Sequence, residues 1–135
     1  MNMDVNDSLL DLIGNTPMMK LKSLDTGPCD LYVKLELNNP GGSIKDRVGL
    51  SIIEEAEKSG ELKPGGTIIE ATAGNTGIGL ALIAALKGYK IILVIPDKMS
   101  REKILHIEVL GAVIILTRSD FTEGHPEYYL YMDMK

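Results

Sequence analysis

The feature that most constrains the fold is an alternation of short apolar segments with helical patterns between about residues 30 and 117. The segments "TIIEA", "KIILVIP" and "AVIILT" are short and apolar, as buried strands are. Between them lie "TGIGLALIAALKG" (76–88), which is apolar on nearly all sides, and "REKILHIEVLG", which Ser100 precedes as a cap. Short connections between strand and helix predict an α/β fold, in which helices cover both faces of a parallel sheet.

The first third of the chain continues this pattern less regularly. "SLLDLI" (8–13) predicts a short helix, "MMKLK" a short strand, and "DLYVKLEL" (30–37) a half-buried strand, because its apolar and polar residues alternate. Residues 44–59 predict a helix that ends at Gly60. The apolar face of this helix carries four residues: Ile44, Val48, Ile52 and Ala56. On this pattern, residues 30–117 form one parallel sheet flanked by helices.

Composition and charge exclude several classes of protein. The 135 residues carry a formal charge of −5, and the basic residues are scattered, which argues against binding to nucleic acid or to an anionic membrane. The longest apolar runs are far too short to span a membrane, and the N-terminus lacks the features of a signal peptide. Cys29 is the only cysteine, and no cluster of histidines and cysteines indicates a metal site. We therefore expect a cytoplasmic protein without a bound metal.

The segment "NNPGGSIKDR" (38–47) places a lysine where a helix begins. Its asparagine, proline and glycine residues predict a turn, and the residues from Ser43 onward predict the first helical turn. A helix N-terminus disfavours a cation, and a lysine amine is a nucleophile only when it is neutral. Lys45 is therefore a candidate for covalent bonding to an aldehyde cofactor. The alternative is a solvated lysine beside Asp46.

The second motif, "ATAGNTGIG" (71–79), follows a strand and opens the buried helix. In α/β folds this position binds phosphate or carboxylate groups, and its glycines permit close approach of the backbone. The spacing is G-x-x-G-x-G, which differs from the G-x-G-x-x-G of dinucleotide sites, yet Asp97 lies 20 residues after Gly77. A nucleotide-binding module therefore stays open as an alternative, as does a purely structural role for the glycines in helix–sheet packing.

Four segments, in order, resemble the cysteine synthase/cystathionine β-synthase family. These are pyridoxal-phosphate enzymes of the tryptophan-synthase-β-like fold, and the resemblance runs from Ile13 to about Tyr129. The segments are "IGNTPMMKL" (13–21), "NNPGGSIKDR" (38–47), "KPGGTIIEATAGNTGIGLALIAALKGYKIILVIPDKMSREK" (63–103) and "LGAVIILTRSD" (110–120).

The resemblance implies roles for individual residues. Lys45 matches the lysine that binds the aldehyde of pyridoxal 5′-phosphate and later moves the α-proton, so it is both a cofactor-binding and a catalytic residue. Asn75 matches the asparagine that hydrogen-bonds the 3′-oxygen of the cofactor. The substrate α-carboxylate is bound by a loop of four residues: Thr72, Ala73, Gly74 and Thr76. The family more often has serine at the position of Ala73, and the missing hydroxyl removes a hydrogen bond worth about 0.5–1.5 kcal/mol.

The reaction that the resemblance implies is β-replacement on serine or an O-acylserine. A thiol replaces the β-substituent, so that sulfide gives cysteine and homocysteine gives cystathionine. The sequence leaves both products open, and full-length relatives are expected to be homodimers. A non-catalytic family member that acts through protein interaction is a further alternative.

Members of this family are much longer than 135 residues. We therefore expect the chain to be the N-terminal portion of a catalytic domain, with residues 1–30 contributing to a larger subdomain and residues 31–120 forming a small α/β subdomain. The family's Gly/Thr-rich loop for the cofactor phosphate is expected beyond Lys135. Activity of these residues alone is then expected to be impaired, with apolar surface exposed at "MMKL" and at Tyr128–Tyr131.

Overall fold

Strands and helices alternate in the computed structural model, which describes residues 5–72 and 74–120. In chain order they are β1 (Met18–Leu21), β2 (Leu31–Lys34), α1 (Lys45–Ser59), β3 (Thr67–Ala71), α2 (Asn75–Lys87), β4 (Lys90–Pro96), α3 (Arg101–Val109) and β5 (Val113–Thr117). Leu9–Leu12 and Glu36–Asn38 form short 3-10 helices. The predicted elements are confirmed, except that the strand predicted at 30–37 ends at Lys34. No helix in these residues is both long and apolar enough to cross a membrane.

The α/β prediction is confirmed by a parallel sheet of three strands in the order β3-β4-β5. Ile92 in the central strand β4 pairs with Ile69 on one side and with Val113 on the other. The prediction that residues 30–117 form one parallel sheet is wrong, because β2 pairs antiparallel with β1 in a separate two-stranded sheet. A short connection lets two strands reverse and pair antiparallel, whereas parallel pairing needs a crossover.

This pairing joins the two units into which the sequence divides the chain. β2 lies just inside the predicted 31–120 subdomain, and its partner β1 lies in residues 1–30. Met18 and Met19 of β1 are exposed, as expected for "MMKL". Tyr128–Tyr131 lies outside the described residues. The division into subdomains stays a prediction.

Helix α2 lies between the parallel sheet and α1. Its residues from Gly77 to Ala84 are all buried, which is why its sequence is apolar on nearly every side. A methyl group added at Gly77 would lie 3.3 Å from Leu93 of β4 and 3.9 Å from Ile107 of α3, so α2 and α3 cover the sheet face that carries Leu93. The core of the described chain therefore sits between this face and α1.

The opposite face of the sheet is partly uncovered within the described residues. Ile69 on β3 is 51% exposed, and Val113 and Ile115 on β5 are 59% and 43% exposed. These side chains share one face, because successive residues of a strand point to opposite sides. The prediction that helices cover both faces of the sheet is thus not met at the two edge strands.

The face of α1 that is buried differs from the predicted one. Ile44 and Ile52, which belong to the predicted apolar face, are 53% and 48% exposed. The buried residues of α1 are Asp46, Gly49 and Ile53. The reason is that α1 packs on α2 through Gly49. The side of α1 in closest contact therefore carries a glycine and not the largest apolar side chains. Gly60 ends the helix with a left-handed φ of 77°, as predicted.

The two helices approach each other backbone to backbone at a pair of glycines. A methyl group added at Gly79 of α2 would lie 2.7 Å from the carbonyl oxygen of Lys45. A methyl group at Gly49 of α1 would lie 3.0 Å from the carbonyl carbon of Gly79 and from the amide nitrogen of Leu80. Gly79 has no room for a side chain, and an added methyl group at Gly49 would force its neighbours on α2 to shift by a few tenths of an ångström, so both glycines favour this helix packing.

We predict that Gly79→Ala destabilises the protein by about 1–3 kcal/mol, because the added methyl group displaces the backbone of α1. Helix propensity alone would change stability in the opposite direction, since alanine favours a helix over glycine by about 0.5–1 kcal/mol. Urea denaturation measures the net effect. The matched control is Ala85→Gly on the exposed side of α2, which reports propensity alone and should lose about 0.5–1 kcal/mol. A Gly79→Ala variant that is more stable than the wild type would contradict the close approach.

Candidate active site

Lys45 is the first residue of α1, and the turn before it is held by its own hydrogen bonds. The backbone N–H of Lys45 donates to Oγ of Ser43 at 3.1 Å, and the N–H of Gly42 donates to the carbonyl of Asn39 at 2.8 Å. Lys45 is half-buried. Within residues 5–72 and 74–120, its amine forms no hydrogen bond or ion pair, so it is available to a ligand.

The second predicted site segment begins where β3 ends. Thr72 is buried, and its N–H donates to the carbonyl of Val94 at 3.0 Å, which continues the pairing of the sheet. Its hydroxyl oxygen accepts the N–H of Gly74 at 3.4 Å. Asn75 and Thr76 form the first turn of α2, and Asn75 is exposed. Neither side chain hydrogen-bonds to another described residue. Ala73 lies outside the described residues.

The structure brings the two segments together through the helix pair. The carbonyl of Lys45 faces Gly79, which lies four residues, about one helical turn, after Asn75. The starts of α1 and α2 are therefore neighbours, although Lys45 does not follow a strand of the parallel sheet. We expect the side chains of Lys45 and Asn75 to face one cleft, because both residues stand at helix starts that are neighbours.

The carboxylate of Glu36, which the sequence analysis did not identify, lies against the segment 39–47, here called the Lys45 turn. Glu36 accepts two hydrogen bonds from Arg47, from Nε at 2.9 Å and from Nη2 at 3.1 Å. It also accepts one from the Thr16 hydroxyl at 2.6 Å and one from the Asn39 amide at 3.0 Å. These bonds, those of Arg47 above all, lower the pKa of the Glu36 carboxyl from 4.5 to about 2. Glu36 is therefore ionised at neutral pH.

Asn39 extends this set of hydrogen bonds to the N-terminal segment. It is 3% exposed, and its side-chain oxygen accepts the backbone N–H of Gly14 at 2.8 Å. Thr16 and Asn39 lie in the segments "IGNTP" and "NNPGG", which carry the family resemblance, but nothing in their local pattern identifies Glu36 as the common partner. The signal that sequence reasoning could have used is an isolated acidic residue in an otherwise half-apolar segment next to a turn.

Asp46 has the opposite environment to Glu36. It is fully buried, and Oδ2 accepts the N–H of Gly41 at 2.5 Å, while Oδ1 has no hydrogen-bond partner among the described residues. Burial raises the pKa of the Asp46 carboxyl above its usual 3.8. Asp46 is directed at the turn and not at the Lys45 amine. The alternative of a solvated lysine beside Asp46 stays open for Lys45.

The nucleotide-binding alternative depends in part on Asp97. Asp97, which lies 20 residues after Gly77, accepts the backbone N–H of Ser119 at 3.1 Å and so has a structural partner. Among residues 5–72 and 74–120, no group of three or more His, Cys, Asp or Glu side chains is placed to hold a metal ion.

Comparison with known proteins identifies relatives for this arrangement. Residues 9–128 match the family model "pyridoxal-phosphate dependent enzyme". The chain is 50% identical over 131 residues to the cystathionine β-synthase of Saccharomyces cerevisiae, covering 94% of this chain and 26% of that protein. It is 50% identical over 112 residues to the cysteine synthase of Staphylococcus aureus, covering 82% of this chain and 36% of that protein.

Solved structures show the same fold. A hydrogen sulfide-producing enzyme from Fusobacterium nucleatum superposes with a TM-score of 0.84 at 50% identity, covering 88% of this chain and 39% of that one. An O-ureido-L-serine synthase superposes with a TM-score of 0.84 at 42% identity, covering 89% and 38%. The chain thus spans between about a quarter and two fifths of the length of these relatives.

We predict that Asp46→Asn gains stability relative to the wild type as the pH rises. The folded-state pKa of Asp46 is above its unfolded value of 3.8, so the wild type loses stability as the pH rises through the folded-state pKa. The asparagine side chain of the variant does not titrate and keeps an oxygen for the Gly41 N–H. Urea denaturation at about pH 3 and about pH 7 measures the difference in free energy of unfolding.

Glu36→Gln is the matched control with the opposite sign. The pKa of Glu36 is lowered to about 2, so its contribution to stability is present above pH 4.5 and is lost as the pH falls towards 2. This variant should therefore be most destabilised, relative to the wild type, at neutral pH. The same pH trend in both variants would contradict the environments described for the two carboxyl groups.

Proposed function

This chain belongs to the pyridoxal-phosphate dependent enzyme family, and from that premise we propose that it contributes the lysine and the substrate-carboxylate site of a β-replacement enzyme. The substrate would be serine or an O-acylserine, and the incoming group a thiol. The observation that carries the proposal is the contact between the Lys45 carbonyl and Gly79, because it places a lysine at one helix start beside the N-terminus of a second helix.

The residues present fit the cofactor of the family, pyridoxal 5′-phosphate. The Lys45 amine and the Asn75 amide have no other partner among the described side chains, so both can bind a ligand. An added methyl group at Gly74 would meet no described atom within 4 Å beyond its chain neighbours, so there is open space beside the start of α2. Lys45 would hold the cofactor aldehyde covalently, and Asn75 would donate a hydrogen bond to the 3′-oxygen.

Bound pyridoxal phosphate supplies an electron sink for negative charge that develops at the substrate Cα. In our proposal the neutral Lys45 amine takes the proton from that carbon, which makes it the general base. Because Lys45 sits in the first helical turn, its backbone is held while its side chain can move between cofactor and substrate.

The start of α2 is the proposed site for the substrate α-carboxylate. The first N–H groups of a helix have no partner within the helix and carry partial positive charge, which favours an anion. Thr72 and Gly74 would bind the carboxylate together with Thr76, and Ala73 would add its backbone N–H. The hydrogen bond from the Thr72 N–H to the Val94 carbonyl fixes the start of this loop to the sheet, which supports the proposal.

The described residues do not distinguish between sulfide and homocysteine as the thiol. A cysteine synthase and a cystathionine β-synthase are both 50% identical to this chain, which favours the reaction that they share over either product. We therefore propose sulfide and homocysteine as the two candidate thiols, and a homodimer as the assembly of the complete enzyme.

We predict that Lys45→Ala abolishes both covalent capture of the cofactor and turnover. Asn75→Ala should keep capture but lower turnover by about 10- to 100-fold, the equivalent of one hydrogen bond to a charged group at about 1.5–3 kcal/mol. Capture is measured by adding pyridoxal phosphate, reducing with borohydride and locating the adduct by mass spectrometry. Turnover is measured by thiol addition to O-acetylserine and to serine.

The control is Lys58→Ala on the same helix. Lys58 is exposed and pairs with Glu55 on the surface, so its removal should change neither measurement. An adduct that forms on Lys58 as readily as on Lys45, or unchanged turnover in Lys45→Ala, would refute the assignment.

A further inference from the structure

Glu36 joins three separate segments of the chain through one carboxylate. Its four hydrogen bonds, two to each oxygen, come from Thr16 before β1, from Asn39 in the turn, and from Arg47 in the first turn of α1. The Glu36 side chain is 19% exposed. Four hydrogen bonds fill the acceptor sites of a carboxylate, so this group has no capacity left for a ligand. Its role is to hold the protein, not to bind a substrate.

Two of these donors flank Lys45 along the chain. Asn39 lies six residues before Lys45, and Arg47 lies two residues after it in the same helical turn. Since both bind the same carboxylate, the ends of the segment 39–47 are held together and the Lys45 turn forms a closed loop above Glu36. The Asn39 side chain also donates to the backbone carbonyl of Glu36 at 2.8 Å, which fixes one end a second time.

We propose that Glu36 is a positioning residue, which holds the Lys45 turn through Asn39 and Arg47 and thereby sets where the Lys45 amine stands. The inference rests on the proposed role of Lys45. It adds a residue that touches neither substrate nor cofactor. Arginine is suited to this contact, because its planar fork binds both oxygens of a carboxylate, whereas lysine offers a point charge.

The far end of α1 offers a matched control. There Glu57 accepts hydrogen bonds from Lys87 at 2.7 Å and from the Tyr89 hydroxyl at 2.7 Å, so it too is a carboxylate that joins α1 to a neighbouring segment. Glu57 is twelve residues from Lys45 along the helix. A general loss of stability should follow from changes at either end, whereas loss of positioning should follow only from changes at Glu36 or at its donors.

The experiment compares three single variants: Glu36→Gln, Arg47→Lys and Glu57→Gln. Arg47→Lys keeps the charge of the site and removes the fork, so it separates geometry from electrostatics. The first measurement is the rate of borohydride-trapped capture of pyridoxal at Lys45 under saturating aldehyde. Pyridoxal lacks the phosphate, so the measurement does not depend on a phosphate-binding loop. The second is hydrogen exchange of the Gly42 and Lys45 amides, which are hydrogen-bonded within the turn.

Both Glu36→Gln and Arg47→Lys should lower the saturated capture rate at Lys45 by between about 10- and 100-fold, the loss expected for a displacement of about 1 Å. Both should speed exchange at Gly42 and Lys45. Glu57→Gln should leave both measurements as in the wild type.

Three results would overturn the proposal. In the first, the turn exchanges at the wild-type rate in Glu36→Gln and Arg47→Lys. In the second, the turn exchanges faster but capture at saturation is unchanged. In the third, Glu57→Gln has the same effects as Glu36→Gln. If the wild type captures pyridoxal at Lys58 as readily as at Lys45, the proposed function fails instead, and the exchange measurement still decides whether Glu36 holds the turn.

Discussion

The described structure depends on the close approach of α1 and α2 at Gly49 and Gly79. Each glycine faces the backbone of the other helix, with no room for a Cβ atom at Gly79 and only tight space for one at Gly49. This contact covers the outer side of α2, which is why α2 can be apolar on nearly every side. It also sets the position of Lys45, whose helix is not preceded by a strand of the parallel sheet. Asn75 is thus positioned by the carboxyl end of a strand, whereas Lys45 is positioned by the packing of two helices.

The two carboxyl groups near the Lys45 turn differ in pKa because hydrogen bonds dominate at Glu36, whereas burial dominates at Asp46. Glu36 has four donors and a pKa lowered to about 2. Asp46 has one donor and no access to water, and its pKa is raised. Glu36 accepts hydrogen bonds from Asn39 and Arg47 at the two ends of the turn, and Asp46 accepts one from Gly41 within it. The turn is therefore held by an ionised, fully satisfied group and by a buried group that is only half satisfied, and the first is the stronger constraint.

Membership of the pyridoxal-phosphate family and the geometry of the described residues point to the same chemistry. The described residues bring a lysine at one helix start next to the start of a second helix, and we propose that these are the parts that touch the amino-acid substrate. The chain spans 26% of the yeast cystathionine β-synthase and 36% of the staphylococcal cysteine synthase. The activity, the thiol and the assembly of the complete enzyme are therefore proposals.

The sequence alone determined the kind and limits of most elements, the α/β class, the end of α1 at Gly60 and the family. These features depend on residues that are close in the chain, because the period of apolar residues and the local preferences of glycine set them. Tertiary structure alone decided that β2 pairs with β1 and that α1 buries Gly49 and not Ile52. It also decided that Glu36 accepts four hydrogen bonds from other segments of the chain. Each of these depends on contacts between distant residues: Arg47 reaches Thr16 across 31 positions, and no local pattern encodes such a contact.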